Sequence, residues 1–304
     1  MTEIHQTHKA VRKPAPVGVG LRHEHYSTAL LKSSPSVDFV EIHAENFFAK
    51  GGAISRLLDQ IVDTYPVSIH GTAMGLGSAQ GISANYLRKF VQLVNRVNPI
   101  LVSDHACFTW GALGNNPVHA GDLLPLKYDQ ATLNVLVNNI DQVQQALGRQ
   151  ILIENIVTYK HFENEDFYEA AFLAKVAEKT QCGLLVDLNN ILVNYHNFSD
   201  ANPLQAAKKW LQHIPPHLVQ ELHLAGSTPV QSDAYIVDDH GQPVSDECWE
   251  LYETTLSMFP NAAVLIERDN NLPSWTELTN EAKHAREVAN KKHMKAKSLE
   301  AAYA

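Results

Sequence analysis

The chain has 304 residues, 45% of them hydrophobic and 19% charged, with a net charge of −9 when histidine is counted neutral. That composition excludes a disordered chain, the length suits one large domain, and the charge disfavours a phosphate-tracking nucleic-acid surface. No run approaches 18 apolar residues, so no membrane span is expected, and the opening segment lacks the apolar core of a secretory signal. Three cysteines, Cys107, Cys182 and Cys248, lie far apart without CxxC spacing. They predict a reducing, cytoplasmic setting and neither a disulfide framework nor a thiolate metal site.

Short apolar runs recur with helix-length segments between them. Val17–Leu21 is the first, and Asp38–His43 follows, leaving Glu41, His43 and Glu45 at its end. A helix over Ile54–Thr64 leads to Val67–His70, which ends on His70. A glycine-rich loop from Gly71 to Gly81 precedes a helix over Ala84–Val97. The next run, Ile100–Asp104, ends in Ser103, Asp104 and His105. A helix over Ala131–Leu147 leads to Ile151–Glu154, with Asn155 behind it. Another over Asp166–Lys179 leads to Gly183–Asp187, followed by Asn189 and Asn190. After a helix over Leu204–His213, Val219–Leu224 carries Glu221 and His223. A polar loop from Ser227 to Ser245 adds Asp238, Asp239 and His240, and Ala263–Glu267 is the eighth run.

Eight near-continuous runs alternating with helices predict parallel strands covered on both faces and closed into a single (β/α)8 TIM barrel. No dinucleotide fingerprint or GKS/GKT motif supports an open doubly wound sheet. The predicted barrel domain spans 15–280, and 281–304 reads as a helix-prone basic tail.

A lone histidine or glutamate at a strand end is more often a hydrogen-bonded structural group than a ligand. Here the ionisable residues fall at the same end of consecutive strands, and a barrel gathers those ends around one axis. Buried charge needs a partner or a metal. Imidazole and carboxylate without thiolate suit iron, manganese or zinc. The donors outnumber what one ion needs, which favours two or three ions about 3.5–4 Å apart. Phe47, Phe48, Phe108, Trp110, Tyr159 and Tyr195 stand near strand exits, where packing is at least as expected as lining a peptide groove. Trp210 and Trp249 read as anchors of outer helices.

The segments GVGLRHEHY, DFVEIHAENFF, SIHGTAMGLGSA, LVSDHACFTWG, DLLPLKY, ILIENIVTY, GLLVDLNNILVNYHN, ELHLAGS and VDDHGQPV resemble the domain-of-unknown-function 692 family, which includes the methanobactin-biosynthesis iron oxygenase. The likeness runs from about residue 15 to about residue 275 and extends more distantly to xylose-isomerase-like and apurinic-endonuclease barrels. The resemblance implies two or three non-haem iron ions, dioxygen as co-substrate and a cysteine-containing substrate peptide, often with a partner protein that helps recognise it. Carried over by motif, the ligands are His70, His105, Glu154, Asp187, His223, Asp238, His240 and Glu267. Asn155, Asn189 and Asn190 stand beside them, and Asp104 is a hydrogen-bonding group where the family usually has glutamate. The endonuclease-like barrels bind metal through a histidine where this chain has Asn190, which puts the third metal position in question. His196, in the loop after the sixth strand, is a weaker candidate. The alternatives are a metal-dependent phosphoesterase or sugar isomerase on the same barrel, or a non-catalytic metal- or peptide-binding protein.

Overall fold

The computed structural model describes residues 15–302 except 33, 115, 161, 199–201 and 229–234, with side chains as far as residue 294. The expectations for residues 1–14, for 229–234 of the loop after the seventh strand, and for 303–304 lie outside the described residues. In chain order the elements are β1 (Val17–Gly20), α1 (Tyr26–Leu31), β2 (Phe39–His43), a 3-10 turn (Ala44–Phe47), α2 (Gly52–Thr64), β3 (Val67–His70), α3 (Ala84–Val97), β4 (Leu101–His105), β5 (Phe108–Leu113), β6 (Asn116–Leu124), α4 (Gln130–Leu147), β7 (Leu152–Glu154), α5 (Glu169–Thr180), β8 (Gly183–Asp187), α6 (Leu188–Phe198), α7 (Pro203–Gln212), β9 (Val219–Leu224), β10 (Gly226–Thr228), β11 (Val237–Gln242), α8 (Asp246–Met258), β12 (Ala263–Ile266) and α9 (Trp275–Ala302).

Strands β1, β2, β3, β4, β7, β8, β9 and β12 close into a barrel, every neighbouring pair parallel. This is the (β/α)8 barrel expected from the eight apolar runs. The runs look continuous because both faces are buried, yet the period-2 alternation persists inside them. Outward residues such as Val40, Ile42, Ile69, Val102, Ile153, Val186, Leu222 and Val264 join the large core under the helices. Inward Phe39, Ala263 and Leu265 form a separate small cluster with Leu101 in the lumen.

The helices follow from local chemistry. In α3 the buried residues Phe90, Leu93, Val94 and Val97 share one face, Ser83 caps the start and Asn98 ends the helix in the left-handed region. Asp129 and Gly148 play the same parts for α4. Helix α9 runs without interruption past residue 280, and Ala282, Ala285 and Val288 are buried in the core. Among the described residues no helix is long and apolar enough to cross a membrane.

Two connections carry strands that the sequence reading did not assign. After β4 the chain forms an antiparallel ribbon, β5–β6, and after β9 a second one, β10–β11. The stretch from Leu188, read as the exit of the sixth strand, is helix α6. Its asparagines hid it, since Asn189, Asn190 and Asn194 all turn their side chains to neighbouring backbone or side-chain partners.

Candidate metal centre

The lumen is built in layers, because each strand contributes every second residue to it. The bottom is apolar, with Phe39, Leu101, Ala263 and Leu265. Above Phe39 on the same face of β2 come Glu41 and then His43. Above Leu101 on β4 come Ser103 and His105, and above Leu265 comes Glu267. Register places His43 beside His70, His105 beside Glu154, and Asp187 beside His223. Chemistry therefore sits at the carboxyl ends of the strands, the mouth of the barrel. A cavity of about 500 Å³ opens there, lined by His70, His105, Glu154, Asp238, His240 and Glu267 among others. A larger hollow of about 790 Å³ at the opposite end has His217 and, among the described residues, no carboxylate in its lining.

The ligating atoms form linked groups. His70 Nε2 and His105 Nε2 lie 3.2 Å apart, and each is 3.4 Å from Glu154 Oε2. The other oxygen, Glu154 Oε1, is 3.5 Å from His223 Nδ1, which is 2.8 Å from Glu267 Oε2. His70, His105 and Glu154 make one group able to hold a metal, and Glu154, Asp187, His223 and Glu267 make a second. Glu154 belongs to both. His240 extends the chain of contacts: its Nε2 is 2.8 Å from Asp238 Oδ1 and 3.6 Å from Asp187 Oδ2, and its Nδ1 is 3.2 Å from Glu267 Oε2.

The β10–β11 ribbon lowers Asp238 and His240 onto the mouth. Asp239 Oδ1 ties its two strands together by accepting from the backbone N–H groups of Thr228 on β10 and Gly241 on β11. His240 takes a φ of 43°, a left-handed conformation costly for a side chain with a Cβ. Gly226 is required where the ribbon leaves the barrel, since a Cβ there would stand 1.9 Å from the Pro243 carbonyl oxygen.

Several groups brace the ligands. Ser103 Oγ is 2.7 Å from His70 Nδ1. Asn155 holds the Asp187 backbone at both its N–H and its carbonyl, and Asp187 Oδ1 accepts from the Asn190 N–H at 2.6 Å. Asn189 Nδ2 donates to Ser227 Oγ and to Asp238 Oδ1. Arg22 reaches in from the end of β1, with Nη2 3.3 Å from Glu267 Oε1 and Nε donating to Asp269 Oδ1 at 2.7 Å.

Burial dominates the electrostatics. It pushes Glu154 up to about 7 despite the opposing pull of His223, and lifts Asp187 well above the usual range despite His240. It also drives His70 well below its usual value, with His105 adding to the effect, and it lowers His105. His223 and His240 go the other way. Burial opposes their charge, but Glu267, Glu154 and Glu41 outweigh it at His223, as Asp238 and Glu267 do at His240. Glu267 is held well below its usual range, because those two imidazoles overcome the cost of burying it.

A cation fits this donor set. Glu154 Oε2, Asp187 Oδ2, Asn190 Oδ1 and His240 Nε2 face the cluster and are buried without a hydrogen-bond partner among the described residues. Unpaired buried polar atoms on that scale are expensive, and metal ligation removes the cost while demanding neutral imidazole and ionised carboxylate.

All eight proposed ligands converge on this mouth. Asn155, Asn189 and Asn190 lie against them. Asp104 lies apart: it points to the face of β4 opposite His105, beside Phe90 and so close to Gly71 that a Cβ there would stand 2.2 Å from its Oδ2. Burial, with Glu45 adding, holds its carboxyl well above the usual range. His196 pairs with Glu247 at 2.6 Å on α6 and does not join the group. Phe47 is buried in the core, and Tyr159 lines the cavity, its hydroxyl accepting from the Asp238 N–H. Arg22 and Asp269 went unnoticed in the sequence. They lie two and three residues beyond a strand end, which is the only signal that marks them.

Among solved structures, the barrel is similar to a xylose isomerase domain containing protein from Salmonella typhimurium (11% identity, 90% of this chain and 97% of that one, TM-score 0.59). It is also similar to an L-ribulose 3-epimerase (15%, 94% and 98%, TM-score 0.57) and to endonuclease IV from Thermus thermophilus (12%, 91% and 99%, TM-score 0.53). Identities this low show a shared fold. Sequence relatives are nearer: a UPF0276 protein of Caulobacter vibrioides is 39% identical over 269 residues, covering 88% of this chain and 92% of its own. One of Psychromonas ingrahamii is 38% identical over 270 residues, covering 87% and 91%. Residues 16–290 match the family described as RiPP precursor modification enzyme MbnB/TglH/ChrH, and the chain belongs to that family.

Proposed function

We propose that this chain is a multinuclear non-haem iron enzyme that oxidises cysteine residues of a ribosomally made peptide or small protein, with dioxygen as co-substrate. Family membership and the buried His/Glu/Asp clusters support a metal-dependent enzyme on this fold. The observation that carries the multinuclear reading is Glu154, whose Oε2 faces His70 and His105 while its Oε1 faces His223. One carboxylate offering separate oxygens to two donor sets is the arrangement that bridges neighbouring ions.

In this reading His70, His105 and Glu154 hold one ion, and Glu154, Asp187, His223 and Glu267 hold a second. Asp238 and His240, with Asn190 nearby, hold a third more weakly. Bound iron would supply Lewis acidity and the electron transfer to dioxygen that thiol oxidation needs. Zinc or manganese would satisfy the same donors without that redox role. The chain's own residues orient and enclose. Asn155 and Asn190 fix Asp187, Asn189 fixes Asp238, and Leu123, Tyr159 and Val237 frame the mouth where the peptide enters. The barrel is the unit we assign this chemistry, closed by α9, whose Ala282, Ala285 and Val288 pack into the core beyond residue 280, with a partner protein aiding peptide recognition. Asp122, Asp239 and Asp269 line the cavity, with no lysine or arginine in its lining among the described residues, which opposes a phosphodiester substrate.

The test is anomalous diffraction at the iron edge from anaerobically purified, iron-loaded protein, followed by oxygen-uptake measurements. We expect two or three iron peaks at these clusters and oxygen consumption that requires both iron and a peptide thiol. Absence of metal at the clusters in folded, iron-loaded protein would sink the proposal. Bound iron without thiol-dependent oxygen uptake would keep the metal enzyme and discard cysteine oxidation.

A further inference from the structure

Beneath the ligand layer the lumen holds two carboxylates that the proposed centre does not use. Glu41 on β2 and Glu221 on β9 are fully buried, and none of their four oxygens has a hydrogen-bond partner among the described residues. With His223 they form a group whose ligating atoms all fall within 4.8 Å of one another. His223 spans the two layers. Its Nδ1 faces Glu154 Oε1 at 3.5 Å and Glu267 Oε2 at 2.8 Å, while its Nε2 faces Glu41 Oε2 at 3.7 Å and is itself unpartnered.

We infer that Glu41 is a positioning residue, accepting the Nε2–H of His223 and so holding the Nδ1 lone pair towards the metal centre. The inference rests on the metal-centre reading above. A neutral imidazole carries one N–H, so an ion taken at Nδ1 puts the proton on Nε2. A buried N–H without an acceptor costs about 1–3 kcal/mol, and Glu41 is the acceptor that faces it. A carboxylate behind a ligating histidine fixes the tautomer and raises the basicity of the ring. The 3.7 Å separation is longer than a hydrogen bond. Closing it needs a shift of roughly half an ångström, and no competing bond restrains the Glu41 carboxylate. Glu221 makes that shift favourable, because a second carboxylate close by leaves Glu41 in need of a donor.

The experiment compares the full-length wild type with Glu41→Gln and Glu221→Gln. Zinc affinity is measured by chelator competition, the cobalt-substituted absorption spectrum is recorded, and the urea midpoint of each metal-free protein is determined. We expect Glu41→Gln to weaken zinc binding by about 10–100-fold and to shift the cobalt spectrum, with the number of ions bound unchanged. Its metal-free midpoint should hold or rise, since one of two neighbouring unpaired carboxylates has gone. A purely structural residue would lower both together. Glu221→Gln should relieve the same repulsion while keeping the wild-type affinity. Unchanged affinity and spectrum in Glu41→Gln would overturn the inference. So would loss of a whole ion, which would make Glu41 a ligand, or an equal loss of affinity in Glu221→Gln. Failure of the wild type to bind zinc would instead remove the metal-centre reading beneath it.

Discussion

Glu154 concentrates the chemistry of the mouth in one side chain. Its two oxygens address different imidazoles, and burial holds its carboxyl up near 7, where a cation can displace the proton. Glu154→Gln keeps the shape but cannot offer two anionic oxygens. We expect the variant to carry at least one ion fewer per chain than the wild type, read by elemental mass spectrometry on protein loaded with one metal. Equal metal content would show that the two donor groups bind independently of a bridge. At this scale the sequence was legible wherever a titratable residue ended an apolar run, as at His70, Glu154 and Asp187. It was ambiguous at Asp104 and His105, adjacent ionisable residues of which only one faces the lumen. Alternation sends them to opposite sides of β4, and only the register of the closed sheet says which goes inward.

At the scale of elements, α5 begins on a carboxylate unconnected with the mouth. Glu169 accepts from the Tyr128 hydroxyl and the Trp210 indole, both at 2.9 Å, and burial pushes it up to about 7 from 4.5 despite those bonds. The folded chain therefore keeps a proton there that the unfolded chain releases between those values. This contribution to stability is complete below about pH 4.5 and is lost as the pH rises through 7. Glu169→Gln removes the dependence while retaining an acceptor for Trp210. Relative to the wild type, the variant should be more stable at pH 8 than at pH 5, read from urea midpoints at both. An identical pH response in the two proteins would refute the assignment. The helices flanking this region were legible from their caps and apolar spacing. The two ribbons were not, because β6 is mostly exposed and β10 is three residues long, so neither carries the pattern of a buried strand.

For the whole molecule, a bound cation and barrel closure support each other. The ligands come from β3, β4, β7, β8 and β9, the residue after β12 and the β11 ribbon, so ions at the mouth would tie together most of the circumference. Ions that bind only the folded state should stabilise it by about 2.7 kcal/mol at a free concentration one hundred times the dissociation constant. Chelation should lower the unfolding temperature and re-addition restore it, as followed by circular dichroism. An unfolding temperature that ignores chelator would mean that folding does not depend on occupancy of these groups.

The sequence by itself determined eight buried apolar runs and the end of the barrel at which their charges lie, because both follow from strands covered on two faces and from the high cost of burying an unpaired charge. Tertiary structure alone decided which charges meet. Arg22 reaches Glu267 across 245 residues, Glu41 comes to His223 from the far side of the lumen, and the β10–β11 ribbon folds back to bring His240 onto Glu267. Such contacts depend on strand order, shear and the closure of β1 against β12, and no window of neighbouring residues contains them.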